Sequence, residues 1–231
     1  GGLGGGDGVE FGWCMRVKFV IMSVVVAIQG MCLSQATILW PFFLRDNYGW
    51  DTQNYSIALF VTSLTTTGGL GLIPMFERRW GSRPTAVFAM LLAGASGMLS
   101  FVMAKQHTVA IMLHVALMGT CITALTVVDP CLKSLASLCM SQGAQGRSFG
   151  FMATAQAIGS MTGNLAAPYL YSTSNHYAMG SSLPMSIACV LLLVASGATY
   201  LVIVPNPREK AKVHKLDYLG PLMPKRLDKE S

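Results

Sequence analysis

Hydrophobic residues run along this chain in long continuous stretches, without the two-residue alternation of an amphipathic strand. Six windows, 19–44, 55–76, 84–104, 108–128, 148–171 and 183–204, contain no Asp, Glu, Lys or Arg. Each meets the roughly 20 residues that, at about 1.5 Å rise, cross a hydrocarbon core about 30 Å thick. The pattern predicts six transmembrane helices, because a helix satisfies its backbone N–H and C=O groups internally where there is no water. The expected fold class is all-α and polytopic. Residues 1–18 read as a Gly-rich linker, 19–204 as the six-helix membrane domain, and 205–231, with mixed charges, Gly and Pro, as a tail.

Composition agrees with the pattern. The chain has 231 residues, 52% hydrophobic and 11% charged, with a mean hydropathy of +0.51, too apolar for an ordinary soluble domain. Its net charge of +6 invites a nucleic-acid reading. The basic residues, however, sit at helix ends and in the tail rather than on a stripe with interleaved aromatics, so no nucleic-acid partner is expected. The first partner is the lipid bilayer.

Lys and Arg accumulate in cytoplasmic loops. With the start of the chain inside, fourteen of the sixteen fall on the cytoplasmic side and only Arg45 and Lys105 outside. Both ends are therefore expected in the cytoplasm, whichever membrane holds the protein. The sequon Asn54-Tyr55-Ser56 then faces outward. The six cysteines lack Cys-x-x-Cys spacing and read as small buried side chains. No metal site or cofactor is expected.

Inside a membrane an amide or ionisable group is costly unless it faces a partner or water, which makes such residues the informative ones. The first helix carries Gln29 and Gln35, the second a threonine cluster around Thr66, the fourth His114, and the fifth Gln156, Ser160 and Asn164. The third and sixth carry no amide or ionisable group and are expected at the periphery. On the fifth helix Gln156, Ser160 and Asn164 repeat every four residues beside Gly159 and Gly163, which read as a packing stripe bordering a polar cavity. Ala89, Ala93 and Gly97 form a similar stripe on the third helix, without polar company, and read as plain packing. Gln29, Gln35, Thr66, His114, Gln156, Ser160 and Asn164 are the substrate-cavity candidates. At the cytoplasmic ends, Glu77, Arg78, Arg79, Gly81 and Arg83 form a basic loop. Asp129 and Lys133 stand at i, i+4 beside Pro130, and Arg147 opens the fifth helix. These are the loop or gate candidates.

Three helices plus three, polar on the first two of each triplet, resembles one half of a major facilitator superfamily transporter. Phe76-Glu77-Arg78-Arg79-Trp80-Gly81-Ser82-Arg83-Pro84 resembles the basic loop after the second helix of each half. Its acid stands one place early, and Pro74 occupies a usual glycine position. Gln142 to Gly150, followed by Ala155 to Ser160 and Gly163 to Pro168, resembles the start of the penultimate helix in drug- and metabolite-antiporter-like members. The resemblance covers residues 17 to 204. It implies a 3+3 inverted-repeat bundle, helices seven to twelve of twelve, and an N-terminal six-helix half as partner. It further implies alternating access for a small-molecule solute, with protons as a possible co-substrate.

Two other readings compete. A six-helix channel or homodimeric carrier needs no second half, but no selectivity filter or voltage-sensing Arg series is visible. Gly94-Ala95-Ser96-Gly97 spells the Gly-x-Ser-Gly of rhomboid-type intramembrane proteases. A serine nucleophile needs a histidine at matching depth on a facing helix, and the fifth and sixth helices have none, so no enzyme is expected.

Overall fold

A computed structural model describes residues 6–104, 111–139, 145–174 and 183–202. They form six helices: α1 (Gly6–Tyr48), α2 (Thr52–Trp80), α3 (Ser82–Ala104), α4 (Ile111–Cys139), α5 (Gln145–Ser174) and α6 (Leu183–Val202). Each charge-free window falls on one of them, with 108–110 and 203–204 outside the described residues. Helices α1 to α5 run past their windows at one end or both, because backbone hydrogen bonding, once nucleated, continues into the interfacial residues. Helix α1 accordingly starts at Gly6, so residues 6–18, expected as linker, are helical in backbone. Among the described residues, Val17–Tyr48, Thr52–Trp80 and Ile111–Ser137 are long and apolar enough to cross a bilayer, and Ser186–Leu201 is a shorter apolar helix. Helix α5 is diluted by its own Gly, Ala, Gln and Ser. The tail from 205 lies outside the described residues, as do Lys105 and the side chains of Cys14 and Cys139.

Connections are tight. Asp51 caps α2 by accepting from the Asn54 N–H at 2.9 Å. A single residue, Gly81, separates α2 from α3; its φ of 86° is a left-handed conformation that suits glycine. The Gly81 N–H closes α2 on the Glu77 carbonyl at 2.8 Å, and the Thr85 hydroxyl donates to the Gly81 carbonyl at 2.8 Å.

Helices α1 and α4 form the centre. The first packs on α5, α6 and α4, the second on α3, α2 and α1. Three apolar layers fill the bundle. One gathers Met22, Val26, Met90, Val128, Leu132 and Met152. Another gathers Trp40, Phe43, Leu44, Met118 and Ile122. A third, between Cys32, Ala93, Cys121, Leu125 and Leu192, joins α1, α3, α4 and α6.

The expected periphery is corrected in part. Helices α3 and α6 pack on each other and on the two central helices. Their outer faces, with Phe88, Leu91, Leu99, Ile187, Val194 and Leu201, are exposed. The small-residue stripe makes this close packing possible: Ala89, Ala93 and Gly97 are buried, and a Cβ at Gly97 would lie 2.7 Å from Cys189 Sγ. The outlying helix is α2, where only Ala58, Thr62 and Ile73 are buried. A threonine-rich sequence hides this, because hydroxyls bonded back to their own helix need no neighbour. Ser63 donates to Leu59 O, Thr65 to Thr62 O and Thr67 to Ser63 O.

Candidate functional site

Small residues bring α1 and α5 together backbone to backbone. A Cβ at Gly159 would strike the Ala27 carbonyl, and one at Gly163 would lie 2.5 Å from the Met31 carbonyl oxygen. From the other side, a Cβ at Gly30 would lie 2.6 Å from the Gln156 carbonyl oxygen. Such approach forces neighbouring polar side chains into partnership across the seam.

They form a ladder. Gln29, fully buried, donates its Nε2–H to the Leu125 carbonyl of α4 at 2.9 Å. Its Oε1 faces the Gln156 Nε2 donor at 3.4 Å. One turn on, the Ser160 hydroxyl donates to the Gly30 carbonyl at 3.3 Å. A further turn on, the Ser34 hydroxyl donates to Asn164 Oδ1. Gln29 is buried, Gln156 and Ser160 are half-buried, and Asn164 is exposed, so the row climbs from the interior to an open edge. It contains amides and hydroxyls and no charge. Sequence reading missed Gly30 and Ser34, although Gly30 and Ser34 are themselves small residues four apart, the same signal read on α5.

The remaining cavity candidates lie elsewhere. Gln35 is buried on α1 with its Oε1 lacking a hydrogen-bond partner, as does the indole Nε1 of Trp40. Thr66 pairs hydroxyl to hydroxyl with Thr123 at 3.1 Å, joining α2 to α4. His114 is buried in an aromatic nest: its ring stacks on Phe43 with centroids 4.9 Å apart, with Tyr48 at 5.8 Å. Its Nδ1 lies 3.1 Å from the Ser100 carbonyl of α3. A carbonyl can only accept, so Nδ1 carries the hydrogen. One shared crevice for all seven candidates is therefore not what the geometry places together: four form the ladder and three do not join it.

At the opposite end, the Glu77 carboxyl turns inward beside the Cys131 thiol. Arg78 and Arg79 are exposed. Arg83 donates to the Tyr200 carbonyl of α6 and lies 4.9 Å over the Tyr200 ring. Lys133 pairs with Asp129 at 2.6 Å within α4. Ser82 and Ser134 hydroxyls, 3.0 Å apart, hold the start of α3 to the end of α4. Arg147 is exposed in the first turn of α5. The serine of Gly94-Ala95-Ser96-Gly97 donates to its own helix, to Leu92 O at 2.7 Å.

A family model described as Major Facilitator Superfamily matches residues 19–224. Among curated proteins, the uncharacterized MFS-type transporter YvkA of Bacillus subtilis (strain 168) is 18% identical over 153 residues, which cover 66% of this chain and 34% of that protein. The chain thus matches about a third of its relative's length. No solved structure matches it.

Proposed function

The chain belongs to the major facilitator superfamily, and from this premise we propose that it is the C-terminal six-helix half of a secondary transporter that moves a small solute by alternating access. Membership makes it an integral membrane protein of a transport family; the half, the mechanism and the residues are our reading.

The neighbour relations support a 3+3 repeat. Exchanging α1–α3 with α4–α6 turns the α1–α5 contact into α4–α2 and the α3–α4 contact into α6–α1, both of which exist. The α3–α6 contact maps onto itself, and the weakly packed α2–α3 pair maps onto the weakly packed α5–α6 pair. In this reading 19–204 is the membrane domain, 1–18 the end of a central loop and 205–231 a tail, with both ends cytoplasmic. The N-terminal half is the partner.

The observation that carries the reading is the uncharged ladder Gln29, Gln156, Ser160 and Asn164, which straddles the middle of its two helices and opens on one edge. Amides and hydroxyls at mid-depth bind a polar solute without the cost of an intramembrane charge. Gln35 Oε1 and Trp40 Nε1, buried without partners, each cost about 1–3 kcal/mol, an expense that a solute or the opposite half offsets. Transport further requires different affinities in the two access states. The ladder supplies these if its open edge is covered in one state and wet in the other. The stretch from Glu77 to Arg83, which is the end of α2 and the start of α3 joined by Gly81 rather than the loop expected from the sequence, and the Asp129–Lys133 pair stand at the inner mouth as the gate.

Cysteine labelling tests this on the full-length polypeptide in liposomes. Gln156→Cys, Ser160→Cys and Asn164→Cys are expected to react with a water-soluble maleimide, whereas Val194→Cys on the outer face of α6 is expected to stay protected. Equal protection of all four would remove the ladder from the solute path.

A further inference from the structure

Helix α2 leans on α4 and touches α3 little, which leaves a groove of about 610 Å³ between the three helices. No residue of the α1–α5 ladder lines it. We infer that this groove seats one acyl chain of an anionic phospholipid whose headgroup is met by Arg78 and Arg79.

The lining sets the chemistry of the occupant. Val61, Leu72, Phe76, Phe88, Leu92 and Val127 are apolar. Of the five lining threonines, Thr65, Thr85 and Thr120 donate their hydroxyls to Thr62 O, Gly81 O and Ala116 O at 2.8 Å each and Thr123 pairs with Thr66, so these four offer methyl groups. An occupant therefore finds almost no free hydrogen-bonding group.

The dimensions decide its shape. From Val61 to Trp80 the groove follows α2 for about 28 Å at ~1.5 Å per residue. The space that the centre of a water molecule can occupy, 610 Å³, gives over that length a mean section of about 22 Å², and adding a water radius of about 1.4 Å on every side makes the groove about 8 Å across. A helix with its side chains is about 10–12 Å wide, so a helix of another subunit or of the opposite half does not fit inside, whereas an extended hydrocarbon chain does.

The end of the groove sets the headgroup. It finishes at Trp80, whose amphipathic ring suits the headgroup level. Arg78 and Arg79 stand exposed in the last turn of α2 beside it. The adjoining acid, Glu77, faces Cys131 inside the bundle, and Arg83 is engaged with Tyr200. Two uncommitted guanidinium groups at the mouth of an apolar channel complement a phosphate that carries net negative charge.

The test uses the full-length polypeptide in vesicles of phosphatidylcholine and phosphatidylglycerol, with one lipid at a time carrying a diazirine in its acyl chain. Crosslinked peptides are mapped by mass spectrometry. The phosphatidylglycerol probe is expected to label Leu72, Phe76 and Leu92 several-fold more than the phosphatidylcholine probe does, and several-fold more than it labels Val194 on α6. Ala116→Phe, which fills the groove, is expected to abolish that excess. The Arg78→Gln, Arg79→Gln double variant is expected to make the two probes equivalent in the groove. Equal labelling by both probes in the unaltered protein, or labelling of the groove no greater than that of Val194, overturns the inference without any variant having to fold.

Discussion

Glycine at positions 30, 159 and 163 is a packing device, and each is defined by what a methyl group would meet. Gly159→Val places its side chain in the Ala27 carbonyl and is expected to destabilise the α1–α5 pair by several kcal/mol, in the range of overpacked cores or beyond. Thermal unfolding of purified protein in detergent measures it. Gly68 on α2 has nothing within 4 Å of its Cβ position, so Gly68→Ala is the control and is expected to be neutral or slightly stabilising. His114 invites a proton-carrying role by type alone. Its stacking on Phe43 and its bond to Ser100 O make it a structural donor between α4, α3 and α1. His114→Gln is therefore expected to lower stability by about 1–3 kcal/mol and to leave the pH profile of transport by the full-length protein unchanged. A shifted profile would restore the proton role.

Between helices, register is what the hydrogen bonds report. Thr66 and Thr123 face each other at 3.1 Å, so a Thr66→Cys, Thr123→Cys pair is expected to form a disulfide on mild oxidation, visible as a mobility shift reversed by reductant. Thr66→Cys with Ser160→Cys is expected not to, because α2 packs on α4 and α5 on α1. The Asp129–Lys133 pair is different in kind. It is a contact within α4, with a third of the lysine side chain still accessible. Lys133→Ala leaves the part-buried Asp129 carboxylate without its partner and is expected to cost about 1–3 kcal/mol, so a loss of transport beyond what the thermal stability of that variant accounts for would mark gating.

Across the molecule, apolar surface remains on α2 and α5, where Phe60, Leu64, Ile158, Met161, Leu165 and Tyr169 are all well exposed. In the proposed half-transporter these two helices, related by the exchange of triplets, are the faces that meet the counterpart. The segment reconstituted alone is accordingly expected to show no solute uptake, with uptake returning when the N-terminal half is co-expressed. Uptake by the segment alone would favour the carrier that needs no second half.

What one dimension of sequence determined is the part governed by hydrophobic length and by the exclusion of charge from lipid. The helical class and the six apolar windows need no knowledge of neighbours. The four-residue row on α5 was equally legible, since periodicity alone puts Gln156, Ser160 and Asn164 on one face. Which partner each polar group finds depends on how each helix is rotated and where it crosses the next, and only the packed bundle decides that. It set Gln29 against Gln156, drew in Gly30 and Ser34, and turned His114 into an aromatic nest. It also swung α2 away from α3 to open a channel, a consequence of side-chain volumes summed over three helices that no single stretch of residues contains.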